Sequence, residues 1–148
     1  MNNSRTIIAF DFGTISIGIA VGQEIIAIAH PLTALKAKNG KPNWLDIKKI
    51  LQEWRPKLAI VGLPLKMDGT EQPISKQARK FAKILHLRFN IQVILYDERL
   101  TTIEARTYLF NKGGYKALNK SNIDVISAVI ILENWFEKSF ITNKSKIK

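Results

Sequence analysis

Three short apolar runs, at residues 6–10, 58–61 and 91–96, are set apart by stretches whose apolar residues recur at helical spacing, and this alternation constrains the fold most. Each run has the length of a buried strand and is too short for a core helix. Residues 15–21 alternate branched with small side chains up to Gly22. Residues 25–29 repeat the style before Pro31, so a tight Gly22-Gln23-Glu24 turn joins two further strands into a meander. Trp44, Ile47, Leu51 and Trp54 then mark an amphipathic helix between Pro42-Asn43 and Arg55-Pro56. After the second run, a polar turn through Asp68-Gly69 leads into a long helix over residues 74–89. The third run is followed by a short helix from Thr101 or Thr102 to about Asn111. A last helix, capped by Ser121, ends near Lys138. The order β, β, β, α, β, α, β, α, α predicts a mixed α/β sheet with helices on its faces, its later strands joined by right-handed crossovers.

The 148 residues fit one domain with a core of its own, taken as residues 1–138, and leave a basic, frayed tail at 139–148. Lys and Arg number 23 against 12 Asp and Glu, a net charge of +11, which favours an anionic partner and nucleic acid first. Without cysteine there is neither a disulfide framework nor a thiolate zinc site. The apolar runs are too short for a membrane span, and MNNSRTIIAF lacks the apolar core of a signal peptide, so a cytoplasmic protein is expected.

In so basic a chain the placement of acids is informative. Asp11 and the pair Asp97-Glu98 directly follow apolar runs, and Asp124 opens an apolar helix. Ligands in such sheets sit at the carboxyl ends of parallel strands, which would gather Asp11 and Asp97-Glu98 at one edge. Several carboxylates converging there suit phosphoryl transfer through hard divalent ions, Mg2+ or Mn2+. Each acid also has a structural reading. Asp11 could end its strand, with Phe12-Gly13 making the turn. Asp97-Glu98 could pair with Arg99 at the surface. Asp124 could complete a capping box with Ser121. His30 and His86 lack ligand partners at useful spacing, and each is read as structural or solvent-facing. Gly13 and Gly18 have the outer spacing of a phosphate-binding P-loop, but Ile19-Ala20 stand where its Lys and Ser/Thr belong. Asp11-Phe12-Gly13-Thr14 also resembles the first phosphate loop of actin-like ATPases, whose second lobe 148 residues cannot hold.

Taken in order, Ala9-Phe10-Asp11-Phe12-Gly13, Ile17-Gly18-Ile19-Ala20-Val21-Gly22, Val61-Gly62-Leu63-Pro64-Leu65, Met67-Asp68-Gly69-Thr70-Glu71, Asp97-Glu98-Arg99-Leu100-Thr101-Thr102 and Asp124-Val125-Ile126-Ser127-Ala128 closely resemble the YqgF family, also called RuvX. The resemblance covers about residues 5–138. It implies an RNase H-like, five-stranded mixed sheet whose first, fourth and fifth strands are parallel. It also implies a nuclease maturing the 5′ end of the 16S ribosomal RNA precursor, a family formerly proposed to resolve Holliday junctions. Carried over by motif, Asp11, Glu98 and Asp124 would be the catalytic, metal-binding acids, with Asp97 assisting from outside. One departure from RNase H enzymes stands out: the fourth strand ends in Gly62-Leu63-Pro64, with no acid. Glu98 would then have to reach across two strand spacings, about 9.5 Å, with Gly62 leaving it room.

Substrate contacts are expected from Arg99 and Arg106 near the acids, although Arg99 could instead hold Glu98 or Asp97. In the Lys112-Gly113-Gly114-Tyr115-Lys116 loop, Lys112, Lys116 and Lys120 would grip phosphates around a base stacked on Tyr115. Lys76, Lys80 and Lys83 form a solvated helix face that could serve the same end. Trp44, Trp54 and Trp135 are expected in the core. With no spare apolar stripe the chain is expected to be a monomer. The expectation is a nuclease acting on RNA, with two alternatives: a junction resolvase acting on branched DNA, and a non-catalytic RNA-binding ribosome-assembly factor.

Overall fold

Apolar residues on both sides make the first run a central strand. The computed structural model describes residues 4–99, 101–114 and 118–146. Strand β1 (Thr6–Asp11) pairs antiparallel with β2 (Ser16–Gln23) and parallel with β5 (Leu58–Leu63). Strand β5 pairs parallel with β6 (Gln92–Asp97), while β3 (Ile28–Lys38) and β4 (Lys41–Pro42) extend the other side. The sheet order is β4-β3-β2-β1-β5-β6. Helices α1 (Trp44–Trp54) and α2 (Pro73–Phe89) are followed, beyond β6, by α3 (Thr101–Gly113) and α4 (Lys120–Lys146).

Period-two alternation sorts the side chains into two layers. Ile8, Phe10 and Phe12 of the first strand and its loop, Ile17, Ile19 and Val21 of β2, and Ala59, Val61 and Leu63 of β5 face one way, onto Ile47 of α1 and Ala78, Phe81, Ala82 and Leu85 of α2. Ile7, Ala9, Leu58 and Ile60 face the other way, onto Ile131, Leu132 and Phe136 of α4. On that side β2 presents Gly18, Ala20 and Gly22, and the small residues let α4 lie close: a Cβ on Gly22 would sit 2.9 Å from the Phe136 ring. The small-large alternation of residues 15–21 is therefore the print of a close helix on one face and a thick core on the other. Trp44 stacks on Phe81 with ring centroids 5.4 Å apart, and all three tryptophans are half-buried against the two cores.

Among the described residues the sheet has six strands where five are expected. The extra one, β4, is two residues long and pairs only with Ala37 and Lys38. Strand β3 starts three residues later than expected, after a Glu24–Ala27 turn closed by Ala27 N–H donating to Gln23 O at 3.0 Å, and runs straight through Pro31. Pro31 has a partner strand on one side only and sits where the β2–β3 register shifts, between Ile19 and Ala20, so its missing N–H removes no needed ladder bond. Asn43 caps α1 as expected, its Oδ1 accepting from Leu45 N–H at 3.0 Å. The cap of α4 is Asn119, not Ser121: Asn119 Oδ1 accepts from Asn122 N–H at 2.8 Å. Ser121 and Asp124 thus lie inside the helix, and the capping-box reading of Asp124 falls. Helix α4 also continues to Lys146, eight residues beyond the expected end near Lys138. Among the described residues no helix is long and apolar enough to cross a membrane.

Candidate active site

Asp11 is the last residue of β1 and, two positions beyond Ala9, points to the α4 side. Its register partner on β2 is Gly18. A Cβ there would fall 2.0 Å from the backbone oxygen of Asp124, so a bare glycine is what allows α4 to set Asp124 beside Asp11. Glu98 comes from the opposite side. Its N–H donates to Leu63 O at 3.3 Å and its carbonyl accepts from Thr101 N–H at 2.9 Å, which fixes it between the end of β5 and the start of α3. Its side chain crosses β5 over Gly62, where a Cβ would lie 2.1 Å from Glu98 Oε2. The expected reach across two strand spacings is thus made, in the room Gly62 leaves. Asp11, Glu98 and Asp124 are 6%, 9% and 2% exposed.

The three carboxyl groups lie within hydrogen-bonding and Coulombic range of one another. Burial is the largest cause that raises Asp11, to about 7, opposed by its hydrogen bond with Glu98 and reinforced by the charge of Asp124. Burial, followed by the charge of Asp11, pushes Glu98 up to about 10. Even with the charge of Lys120 counted, burial and mutual repulsion favour the protonated form of these acids, which a divalent cation among them would oppose. Lys120 Nζ, 2.9 Å from Asp124 Oδ1, is the cation in contact. Glu98 Oε2, Asp124 Oδ2 and, one helical turn on, Ser127 Oγ are buried with no hydrogen-bond partner. These all-oxygen donors fit a hard divalent cation. In the conformation described, with the carboxyl groups against one another and Lys120 on Asp124, no group of three acid or imidazole side chains among the described residues encircles an ion position. Ser127 and Gly18 were not singled out from the sequence for this site. Their signals were spacing alone, i+3 from Asp124 for Ser127 and the register opposite Asp11 for Gly18.

Asp97, the last residue of β6 and the neighbour of buried Glu98, is exposed, and its carboxylate is held by Arg99 at 2.8 Å. Arg99 also donates from Nη1 to Met67 O at 3.2 Å, fastening the Met67-Asp68-Gly69 turn beside the end of β6. This is the holding role foreseen for Arg99, applied to Asp97. Arg106 is exposed on α3, and Lys112, also on α3, lies over the Tyr108 ring at 4.7 Å. Lys120 opens α4, and its half-exposed side chain places the ammonium on Asp124. Tyr115 and Lys116 lie outside the described residues.

The family model described as "RuvX: Holliday junction resolvase" matches residues 5–138. This chain belongs to the RuvX family. Among curated RuvX relatives, one from Photorhabdus laumondii is 64% identical over 138 residues, covering 93% of this chain and 99% of its own length. Another, from Yersinia pestis, is 60% identical over 135 residues, covering 91% and 96%. Both carry the name "Putative pre-16S rRNA nuclease". Of solved structures, Thermus thermophilus RuvC in complex with a Holliday junction superimposes with a TM-score of 0.57 at 14% identity, over 93% of this chain and 97% of that one. Fowlpox virus resolvase with junction DNA gives 0.56 at 15% identity, over 90% and 97%. At such low identity these two likenesses show the shared RNase H-like fold of the RuvX chain and the resolvases, and no more.

Proposed function

We propose that this RuvX-family chain is a metal-dependent phosphodiester nuclease acting on the 5′ end of the 16S ribosomal RNA precursor. The observation that carries the reading is the meeting of Asp11, Glu98 and Asp124, from three separate elements, with two buried carboxylate oxygens left unpaired. A fold has no structural use for such a group, since burying unpaired charge is costly. The substrate class rests on the names of relatives at 60–64% identity over nearly the whole chain.

Asp11, Glu98 and Asp124 would hold Mg2+ or Mn2+. When bound, such an ion supplies charge neutralisation at the phosphate and a more acidic water. Gly62 and Gly18 keep the acids in register, and the buried walls exclude bulk water, which strengthens every charge interaction inside. Asp97 acts from outside, by fixing Arg99 and with it the Met67 turn. Arg106 and Lys112, with Tyr115 and Lys116, form the flanking contacts to an unpaired RNA strand. We further read the protein as cytoplasmic and mainly monomeric, because trimming one strand needs one active site, whereas paired junction nicks need two related by symmetry.

The test is to incubate purified protein with precursor RNA and with a synthetic four-way junction, each with Mg2+, with Mn2+ and with chelator. Metal-dependent cleavage of RNA, faster than of the junction, is expected. Faster, symmetric junction nicking by a dimer would assign the resolvase activity instead, and RNA binding without any product would leave an assembly factor.

A further inference from the structure

Lys120 reaches from the surface to a buried acid. Its side chain is 55% exposed, that of Asp124 is 3% exposed, and their charged atoms are 2.9 Å apart. Helix geometry sets this contact, because Asn119 caps α4 and so places Lys120 in the first turn, four residues before Asp124. The charge of Lys120 also acts on Asp11 and Glu98. The nearby alternative is committed elsewhere: Arg99 binds Asp97 and Met67 O.

Strand β5 supplies no acid to this site. It ends in Gly62, whose Cβ space is taken by Glu98 Oε2 and Ile131 Cδ1. The site therefore has three carboxylates, and one of their oxygens already holds an ammonium. Two divalent ions bring four positive charges and need several anionic oxygens each. One divalent ion and one ammonium bring three, which balances three ionised acids. A fixed ammonium can also steady charge building on a phosphate, as lysine clamps do.

We propose that the acid cluster works with a single divalent ion, and that Lys120 stays on Asp124 as the second cation facing the scissile phosphate. This deepens the nuclease reading and rests on it. Lys120 is then part of the reacting centre and not a flanking phosphate grip.

The experiment is a Mn2+ titration of wild type, Lys120→Met and Lys120→Asp, following bound ion by calorimetry and electron paramagnetic resonance, with RNA cleavage measured at saturating Mn2+. One ion per chain is expected for wild type and two for Lys120→Asp, where a carboxylate replaces the ammonium. Lys120→Met should still bind Mn2+ but cleave about 100-fold more slowly, the scale of losing one fixed electrostatic group. Two ions on wild type, a single ion on Lys120→Asp, or undiminished cleavage by Lys120→Met would overturn the proposal while leaving the nuclease reading intact. If Lys120→Met does not fold, the wild-type and Lys120→Asp stoichiometries decide. A wild type that binds no Mn2+ and cuts no RNA would instead remove the nuclease reading itself.

Discussion

Glu98 sits over Gly62, against Asp11 and Ile131, with one carboxylate oxygen unpaired, and its protonation is tied to folding. In the unfolded chain a glutamate ionises near 4.3, whereas here burial holds it protonated to about 10 and Asp11 to about 7. Between those limits the native state binds more protons than the unfolded state, so the stability these groups allow falls as pH rises. Below pH 4 the difference vanishes. Glu98→Gln, which keeps the shape without the charge, should therefore stabilise the chelator-treated protein at pH 8 by at least ~1.4 kcal/mol, the worth of one pKa unit, and by less at pH 5. Thermal unfolding at the two pH values measures this, and a variant less stable than wild type at pH 8 would contradict it. Gly62→Ala tests the same place sterically. Its new methyl meets the mobile ends of Glu98 and Ile131, so the fold should persist while Glu98 is displaced and cleavage falls by at least about tenfold. Unchanged cleavage would show that the position of Glu98 over Gly62 is immaterial.

Among the elements, α4 on β2 does most to build the site. Gly18→Ala drives a methyl into the backbone of Asp124 and Val125, neither of which can rotate away, so a loss of about 3 kcal/mol or more is expected in denaturant unfolding, well beyond that of Gly62→Ala. Equal losses for the two variants would refute the backbone contact. Much of this arrangement was legible from pattern. The three apolar runs, their parallel order and the acids after the first and third follow from strand length and crossover geometry, while Gly62 as the opening for Glu98 comes with the family resemblance, from the acid missing after the second. The rest depends on partners that a local pattern does not name. Pro31 reads as a strand stop unless the strand is known to lie at an edge, and β4 is too short to show any period. Asn119 and Ser121 are both sound caps two residues apart. Only packing selects Asn119, and with it the turn that puts Lys120 on Asp124. Asp97 and Glu98 are adjacent acids, and their types do not say which is buried; the fold buries Glu98 and leaves Asp97 exposed.

At the scale of the whole molecule, 23 basic against 12 acidic residues set a field that favours any polyanion, so binding to RNA should weaken steeply with salt. Exposed Arg106 and Lys112 lie on the helix that follows Glu98. Their joint replacement by Ala should flatten the slope of log affinity against log salt by about 1.4, at roughly 0.7 for each phosphate contact to a single strand. Filter binding between low and physiological salt reads this, and an unchanged slope would move the RNA path to another face, with the Lys76, Lys80 and Lys83 side of α2 next. Charge alone does not separate a nuclease from a protein that only holds RNA. Single-turnover cleavage of the 16S precursor at saturating Mg2+ by wild type and Asp11→Asn, alongside their RNA affinities, separates them directly. The account predicts wild-type cleavage that chelator abolishes, and an Asp11→Asn variant that binds RNA within about twofold of wild type while cutting it at least about 100-fold more slowly. Cleavage that survives Asp11→Asn, or that is absent from wild type with metal present, would contradict it.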